Sequence, residues 1–187
     1  MKAGDLVLAL GTGGVSIFAL QLAKMHGAKL AITSSSDEKL ALARAMGADF
    51  TLNYRTRPDW GAALMEATGG RGADIILETG GGATMSQSII AAAPNARIVI
   101  IGSLSGGFAG DVPNFASMIG KNLTLRGIAA GSRRMLEDLI RAAEADALAP
   151  RIDRTFAFAD APAAYAYLQS GAHMGKILID LASADRP

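Results

Sequence analysis

The sequence contains no cysteine and only two histidines among its 187 residues. The lack of cysteine excludes disulfides, thiolate metal ligands and a cysteine nucleophile within this chain. With His26 and His173 as the only imidazoles, a histidine-rich zinc site is also hard to assemble. We therefore expect no metal site in this chain, and His173, which has no identifiable partner in the sequence, is given no catalytic role.

Charge is scarce and balanced, with 18 basic and 17 acidic residues and a net charge of +1. No block of like charge stands out, so binding of nucleic acid through a basic face is not expected. Polar residues or glycines interrupt every apolar stretch before the roughly 18 residues that a membrane span needs. The first ten residues also lack the pattern of a signal peptide. We expect a cytoplasmic protein that binds neither nucleic acid nor membrane.

Half of the residues are hydrophobic, and a chain of this length fits one domain, which we place over residues 1–187. Short β-rich runs alternate with helical segments. These runs are apolar throughout, which is typical of strands buried on both faces. Repeated βα units predict an α/β fold with a parallel sheet and helices on both sides. The five runs are "DLVLALG", "KLAITS", "DFTLN", "ADIILET" and "ARIVIIG".

Beyond the fifth run, the glycine-rich residues 102–110 predict a mobile loop. The segment "NLTLRGIAAG" then predicts a sixth strand, and residues 133–145 predict a helix. The last part of the chain holds a short β-like piece, "RIDRTFAF", a helix after Asp160 and a final strand, "KILIDL". No internal repeat or linker separates these elements, which supports the single domain.

The stretch Gly11-Thr12-Gly13-Gly14-Val15-Ser16 lies between the first strand and the first helix. In a dinucleotide-binding turn, the first glycine makes the bend, the second lets the backbone approach a pyrophosphate, and the helix N-terminus supplies N–H donors. Gly11 and Gly13 fit the first two roles, while Ser16 replaces the third glycine. The order strand, turn, helix favours this interpretation over glycines that only allow close helix–strand packing.

The second strand ends in Ser34-Ser35-Ser36, and Lys39 follows one turn later. A site for NAD usually has an acidic residue there, which would repel the 2′-phosphate of NADP. Hydroxyls and an ammonium group can bind that phosphate, so the segment favours NADP, with NAD still possible. The alternative is an ordinary helix entry, capped by Ser36 or Asp37, with a solvated lysine. Asp37 and Glu38 oppose a phosphate site unless they point away.

Taken in order, the segments "GDLVLALGTGGVSIFALQLAKMHGA", "TSSSDEKLALARAMGAD", "GGRGADIILETGGG", "ARIVIIGSLSG" and "HMGKILIDL" resemble the coenzyme domain of the medium-chain dehydrogenase/reductase superfamily. This superfamily includes zinc-dependent alcohol dehydrogenases and zinc-free quinone oxidoreductases. The resemblance implies a doubly wound parallel sheet (Rossmann fold) with strand order 3-2-1-4-5-6. It also implies that NAD(P)H binds across the carboxyl-terminal edge of the sheet.

Carried over by position, the resemblance implies cofactor-binding roles along the whole edge. The residues implied to contact the pyrophosphate are Gly11, Gly13, Gly14 and Val15. The residues implied to contact the adenosine ribose and its phosphate are Ser34, Ser35 and Lys39. The resemblance places Thr79 and Gly80 beside the adenosine and ribose portion, and it places Gly102, Ser103 and Leu104 near the nicotinamide ribose. It also places Ile128 to Ala130 against the nicotinamide ring, and Lys176 so that it faces the phosphates. The alternative is that Thr79 is an ordinary residue at the end of a strand and that Lys176 only caps the exposed start of a strand.

Full-length members of the superfamily carry an N-terminal catalytic domain, and this chain begins where the coenzyme domain begins. We expect the substrate, a small molecule, to be held by that missing domain, and segments 103–120 and 150–165 to be exposed without it. The implied reaction is hydride transfer between NADP(H) and an alcohol, carbonyl or enone. The alternative is a stand-alone dinucleotide-binding or interaction module without catalysis. The resemblance also implies a homodimer in which "NLTLRGIAAG" pairs with its mate.

Two other classes of Rossmann-like enzyme fit the residues poorly. A short-chain dehydrogenase needs a lysine four residues after a tyrosine, but the residues at that distance from Tyr54, Tyr165 and Tyr167 are proline, glutamine and glycine. A methyltransferase normally needs an acidic residue at the end of the second strand, where this chain has Ser34. Both classes are therefore disfavoured.

Overall fold

The structure is a computed structural model that describes residues 1–104 and 113–182. Six parallel strands form one sheet in the order β3-β2-β1-β4-β5-β6, which confirms the doubly wound topology expected from the sequence. The strands are β1 (Leu6–Ala9), β2 (Lys29–Ser34), β3 (Phe50–Asn53), β4 (Ala73–Glu78), β5 (Ala92–Ile100) and β6 (Thr124–Gly127).

Helices connect the strands and cover both faces of the sheet. In the ranges described they are α1 (Gly14–Met25), α2 (Asp37–Ala45), α3 (Trp60–Ala67), α4 (Gly82–Ala91), α5 (Phe115–Gly120), α6 (Arg133–Ala145) and α7 (Ala161–Gln169), with a short 3-10 helix at Phe158–Asp160. Ser36 caps α2, since its hydroxyl oxygen accepts the backbone N–H of Lys39 at 3.2 Å. Two residues, Ser35 and Ser36, separate the end of β2 from the start of α2, and the cap fixes Lys39 in the first turn of the helix.

Two hydrophobic clusters explain why the central strands are apolar throughout. Leu6 and Leu8 face a cluster that contains Trp60 and Leu64 of α3, whereas Val7 and Ala9 face a second cluster that includes residues of α1 and α2. Successive residues of a strand point to opposite faces, so a strand covered on both sides needs apolar residues at every position. The burial places the sheet in the centre of the fold and leaves its carboxyl edge for the loops.

Helix α5 is an element that the sequence did not predict. It has six residues, and the side chain of Asn114 caps it by accepting the backbone N–H of Ser117 at 3.0 Å. Six residues are too few to show a helical period, and no element is predicted from the sequence between residue 110 and the sixth strand. Residues 105–110 of the loop predicted at 102–110 lie outside the described residues.

Two further strands, β7 (Ile152–Ala157) and β8 (Lys176–Asp180), pair in parallel and form a second sheet, with α7 between them in sequence. An isolated parallel bridge between Gly13 and Gly175 joins this unit to the start of α1. The C-terminal segment therefore reaches the turn that follows β1. Within the two described ranges, no helix has both the length and the apolar character needed to cross a membrane.

Candidate functional site

The glycine turn after β1 is open on the side where a ligand would approach. Gly11 has a φ of 79°, a left-handed conformation that favours glycine. A Cβ built on Gly11 or Gly13 meets no heavy atom within 4 Å. Gly13 is the N-cap of α1 and makes no side-chain capping bond. The N–H groups of the first helical turn therefore have no capping side chain and can receive an anion.

The start of this turn is anchored by two hydroxyl groups on one carbonyl. The hydroxyls of Ser16 and Thr79 both donate to the backbone oxygen of Leu10, at 2.8 and 3.3 Å. Both side chains are buried. Ser16 therefore occupies the third glycine position of the motif with its hydroxyl satisfied inside the fold, and Thr79 fixes the end of β4 beside the end of β1.

Two adjoining cavities, of about 450 and 560 Å³, lie along the carboxyl edge of the sheet. After the roles expected from the sequence, we call the first the adenosine cavity and the second the phosphate groove. The residues that line the adenosine cavity are Leu10, Gly11, Thr33, Tyr54, Pro58, Trp60, Thr79, Gly80, Ala83, Thr84 and Leu104. The phosphate groove is lined by residues 10–16, Ser34, Ser35, Lys39, Tyr54, Thr79, Leu104, Leu168, Gly171 and His173. The structure thus brings together most of the residues predicted to bind the cofactor.

The serines after β2 and the acidic residues behind them have separate roles. The Ser34 hydroxyl oxygen accepts the backbone N–H of Ser36 at 3.2 Å and is buried, whereas Ser35 is half-buried in the groove wall. Asp37 accepts from the Asn53 side chain at 2.8 Å, on the β3 side. Glu38 accepts the Ser36 hydroxyl, and this hydrogen bond lowers the pKa of the Glu38 carboxyl. Neither carboxylate is among the residues that line the phosphate groove.

Lys39 extends across the phosphate groove to a loop near the end of the chain. Its ammonium donates to the carbonyl oxygens of Gly171 and His173, at 2.6 and 3.0 Å. The interpretation of Lys39 as a freely solvated charge is therefore wrong for this conformation, because a long-range contact fixes it. No sequence pattern predicted that contact.

Lys176 lies over the first turn of α1. A Cβ built on Gly14 would meet the Lys176 side chain at 2.7 Å, and the ammonium is 6.0 Å from the ring centroid of Phe18. A cation beside a helix N-terminus repels the positive end of the helix dipole, unless an anion lies between them. This arrangement suits a bound phosphate.

A fully buried carboxylate organises the turn after β4. One oxygen of Glu78 accepts the backbone N–H groups of Gly80 and Gly81, at 2.8 and 3.0 Å, and the Thr84 hydroxyl. The other oxygen accepts the Ser88 hydroxyl at 2.5 Å. Glu78 thereby shapes the loop that forms the floor of the adenosine cavity.

The residues predicted near the nicotinamide follow β5 and β6. Leu104 is 87% exposed, lines both cavities, and donates its backbone N–H to the Thr79 carbonyl at 3.1 Å. Gly102 lies close to Thr79 as well, since a Cβ there would be 3.3 Å from the Thr79 oxygen. Ser103 is half-buried between them, whereas Ile128 and Ala130 are exposed beyond β6 and line neither of the two cavities.

Sequence reasoning missed the aromatic wall of the adenosine cavity. Tyr54 and Trp60 line it from the segment after β3, and Trp60 is buried. The run "NYRTRPDW" held the signal, but only the topology shows that the segment after β3 closes over β1 and β4. Elsewhere, the part of the chain that is described holds no group of three or more side chains suited to binding a metal ion.

Comparison with known proteins agrees with this geometry. Residues 14–145 match the family model described as zinc-binding dehydrogenase. A zinc-type alcohol dehydrogenase-like protein of Schizosaccharomyces pombe is 41% identical over 97% of this chain and 53% of its own length. The chain spans about half the length of the curated relatives it matches.

Two solved structures share the fold and differ in the coenzyme that their descriptions name. An NAD-dependent alcohol dehydrogenase superposes with a TM-score of 0.86 and 33% identity, over 96% of this chain and 52% of that one. A 2-octenoyl-CoA carboxylase reductase in complex with NADP and 2-octenoyl-CoA superposes with a TM-score of 0.88 and 25% identity, over 100% of this chain and 45% of that one. Fold similarity is therefore compatible with either coenzyme.

Proposed function

The chain belongs to the zinc-binding dehydrogenase family, and on that basis we propose that it is the coenzyme-binding part of an oxidoreductase that uses NADP(H). The proposed reaction transfers a hydride between the coenzyme and an alcohol, carbonyl or enone. A bound nicotinamide supplies or accepts that hydride, and the protein orients it. The substrate would be held by a further part of the protein.

The observation that carries this proposal is the open glycine turn at the N-terminus of α1. Gly11 and Gly13 leave space on the groove side, and the first turn of α1 has no side-chain cap. Any side chain at Gly13 would project into the space that a pyrophosphate needs. The Lys176 ammonium adds a positive charge at the same place. In this proposal, Gly13, Gly14 and Val15 bind the pyrophosphate through backbone N–H groups.

The adenosine cavity has the character that an adenine ring requires. Its wall is largely apolar, with the rings of Tyr54 and Trp60, and its floor carries backbone groups fixed by Glu78. The volume of about 450 Å³ lies in the range of small-molecule sites. We propose that Thr79 and Gly80 lie beside the adenosine, and that Gly102, Ser103 and Leu104 flank the nicotinamide ribose. Ile128 and Ala130 would contact the nicotinamide ring.

The proposed preference for NADP rests on local charge. The groove holds Ser35 and Lys39 where a 2′-phosphate would lie, and the nearby carboxylates are engaged elsewhere. Asp37 bonds to Asn53 and Glu38 to Ser36, so neither opposes the phosphate from within the groove. A hydrogen bond between an ammonium and a phosphate is charge-assisted and stronger than a neutral one.

A homodimer is part of the proposal. Strand β6 pairs only with β5 among the described strands and forms one edge of the large sheet. An edge strand of this kind is covered when a second copy pairs with it. Light scattering at micromolar concentration tests this, and a monomeric mass would contradict it.

Exposed apolar residues support a contact with the substrate-holding part. Phe115 and Ile119 of α5 are 60% and 79% exposed, and Tyr165 of α7 is 67% exposed. Phe115 and Ile119 lie on one short helix, and exposed apolar side chains that lie together can mark a surface that packs against another protein part. Uniform strong amide-exchange protection over the described residues of segments 103–120 and 150–165 in a monomer would contradict it.

Calorimetric titration with NADPH and with NADH tests the coenzyme proposal. We expect tighter binding of NADPH, and a loss of roughly 10- to 100-fold for NADPH alone in Lys39→Glu. Lys29→Glu is the matched control, because Lys29 is exposed at the opposite end of β2 and makes the same change of charge. Equal binding of both coenzymes would contradict the preference for NADP. A reading frame that encodes no catalytic domain upstream of this chain would favour the stand-alone module.

A further inference from the structure

The loop from Gly171 to Gly175, here called the C-terminal loop, borders the phosphate groove from the side opposite α2. Gly171 and His173 line the groove together with Ser35 and Lys39. At its far end, the backbone N–H of Gly175 donates to the Thr12 carbonyl at 3.1 Å. The loop thus touches both the glycine turn and the segment predicted to bind a 2′-phosphate.

The two halves of this loop are held by different means. Met174 is buried in the core, and its backbone N–H donates to Asp153 at 3.2 Å. The half from Gly171 to His173 is held to α2 through the Lys39 ammonium. Among the described residues, the buried Nδ1 atom of His173 has no hydrogen-bond partner, and the imidazole ring lies edge-on to the Tyr167 ring, with 6.4 Å between their centroids. The Gly171 N–H also donates to the Leu168 carbonyl at 3.1 Å, and the Ala172 N–H to the Ser170 hydroxyl at 3.2 Å. Local bonds to the end of α7 therefore shape this half of the loop, and Lys39 joins it to α2.

Within residues 1–104 and 113–182, the partners of the Lys39 ammonium leave one of its donors for a ligand. An ammonium carries three N–H groups and no acceptor, and the Gly171 and His173 carbonyls take two of them. Tetrahedral geometry directs the third away from both carbonyls, and Lys39 lines the groove. A phosphate oxygen can therefore bind the third N–H while the two carbonyls stay in place, and the carbonyls hold the ammonium at the edge of the groove.

We propose that the C-terminal loop is part of the device that selects the 2′-phosphate, with Lys39 shared between the phosphate and the loop. This inference rests on the proposed NADP site. The Gly171 and His173 carbonyls position the ammonium, which saves the entropy of ordering a long side chain when the ligand binds. A bound 2′-phosphate in turn fixes the loop, and a coenzyme without that phosphate leaves it unchanged.

Substitution at Gly171 tests the positioning role. Its φ of 66° is strongly unfavourable for a β-branched residue, so Gly171→Val should displace the carbonyl that accepts from Lys39. The probes are adenosine 2′,5′-bisphosphate and adenosine 5′-monophosphate, titrated by calorimetry. We expect Gly171→Val to weaken the bisphosphate about tenfold and leave the monophosphate unchanged. Gly171→Asn, which tolerates a left-handed backbone, should restore most of the affinity.

Gly4→Val is the matched control for strain, because Gly4 also has a positive φ and lies away from the groove. It should keep the wild-type ratio of the two affinities. If Gly171→Val also keeps that ratio, the inference is wrong and the NADP proposal stands. If the wild-type chain binds the two nucleotides equally, both the NADP proposal and this inference are wrong.

Amide exchange on the unaltered chain gives a second test that does not depend on a variant. We expect the amides of residues 171–173 to exchange at least about threefold more slowly with saturating bisphosphate than with saturating monophosphate. Equal exchange with the two nucleotides would overturn the shared role of Lys39. Faster exchange with the bisphosphate would also overturn it, since it would mean that the phosphate draws the ammonium away from the loop.

Discussion

Gly13 and Gly175 face each other in a parallel bridge, although they lie near opposite ends of the chain. The contact joins the N-cap of α1 to the residue before β8, so the end of the sequence supports the turn at its beginning. A binding turn that is already ordered loses less conformational entropy when its ligand arrives. Several expectations depend on this support and on the buried groups around it.

Replacing Gly175 should loosen the glycine turn. Its φ is 89°, and an added Cβ would lie 2.6 Å from the Arg151 carbonyl oxygen. We expect Gly175→Ala to lower the free energy of unfolding by about 1–2 kcal/mol from the backbone conformation alone, with more from the clash. Coenzyme affinity should fall as well. Urea unfolding and calorimetry measure both, and Gly69→Ala, at a φ of 64° with open space around it, isolates the cost of conformation.

Removing the Glu78 carboxylate should destabilise the fold strongly. In Glu78→Leu, the Gly81 N–H and the Ser88 hydroxyl lose the acceptor that Glu78 provides inside the protein, whereas the Thr84 hydroxyl can still donate to the Gly81 carbonyl at 3.2 Å. Each such loss costs about 1–3 kcal/mol, so we expect at least about 2 kcal/mol from urea unfolding. Glu78→Gln keeps one oxygen for Gly81 and Thr84 and should cost less than Glu78→Leu. Equal stability of these two variants would contradict the role of the carboxylate.

The wall of the adenosine cavity should contribute equally to the affinity for NADPH and for NADH. Tyr54 lines this cavity and also the phosphate groove, and we expect its ring to contact the adenine. Tyr54→Ala should therefore weaken NADPH and NADH alike by about tenfold, the scale of a base–aromatic contact. Trp60 is the single tryptophan of the chain and lines the same cavity, so its emission reports the binding. A loss confined to NADPH would place Tyr54 at the 2′-phosphate instead.

Asp5 should make part of the stability depend on pH. Lys2 donates to the Asp5 carboxylate through its backbone N–H at 2.9 Å and through its ammonium, and these bonds lower the pKa of Asp5 below 3.8 in spite of its burial. Because the folded pKa is lower than the unfolded one, the stabilisation is complete above about pH 4 and is lost as the pH falls through the folded pKa. Asp5→Asn should cost about 1 kcal/mol at pH 7.

The measurement for Asp5 is a series of urea unfolding curves between pH 7 and pH 3. The difference in unfolding free energy between wild type and Asp5→Asn should narrow below about pH 4. A difference that stays constant over this range would show that the carboxylate charge contributes nothing.

Local sequence patterns were sufficient to predict the strands of the sheet and the position of the glycine turn. The apolar runs around Leu8 and Ile76 predict strands buried on both faces, and the glycines at 11 and 13 mark the turn by their spacing. These signals are local, because each depends on residues within one βα unit. The Ser36 cap of α2 was predicted as one of two alternatives for the same reason.

Contacts between distant segments could not be predicted in this way. The hydrogen bonds of Lys39 to the C-terminal loop join residues more than 130 positions apart. The positions of Tyr54 and Trp60 in the cavity wall also depend on how β3 lies relative to β1 and β4. Such contacts follow from the order of the strands, which the resemblance implied, and from side-chain packing, which no motif in the sequence records.

The hydrogen bonds of the Leu10 carbonyl oxygen affect the negative charge that the glycine turn presents to a ligand. Its oxygen lies at the entrance of the glycine turn and receives the protons of the Ser16 and Thr79 hydroxyls. A carbonyl oxygen has two lone pairs, so both are directed at protons within the fold. In the proposed complex, these two hydrogen bonds would weaken the repulsion between that oxygen and an incoming phosphate, so Ser16 and Thr79 would favour an anion at the turn without contacting it.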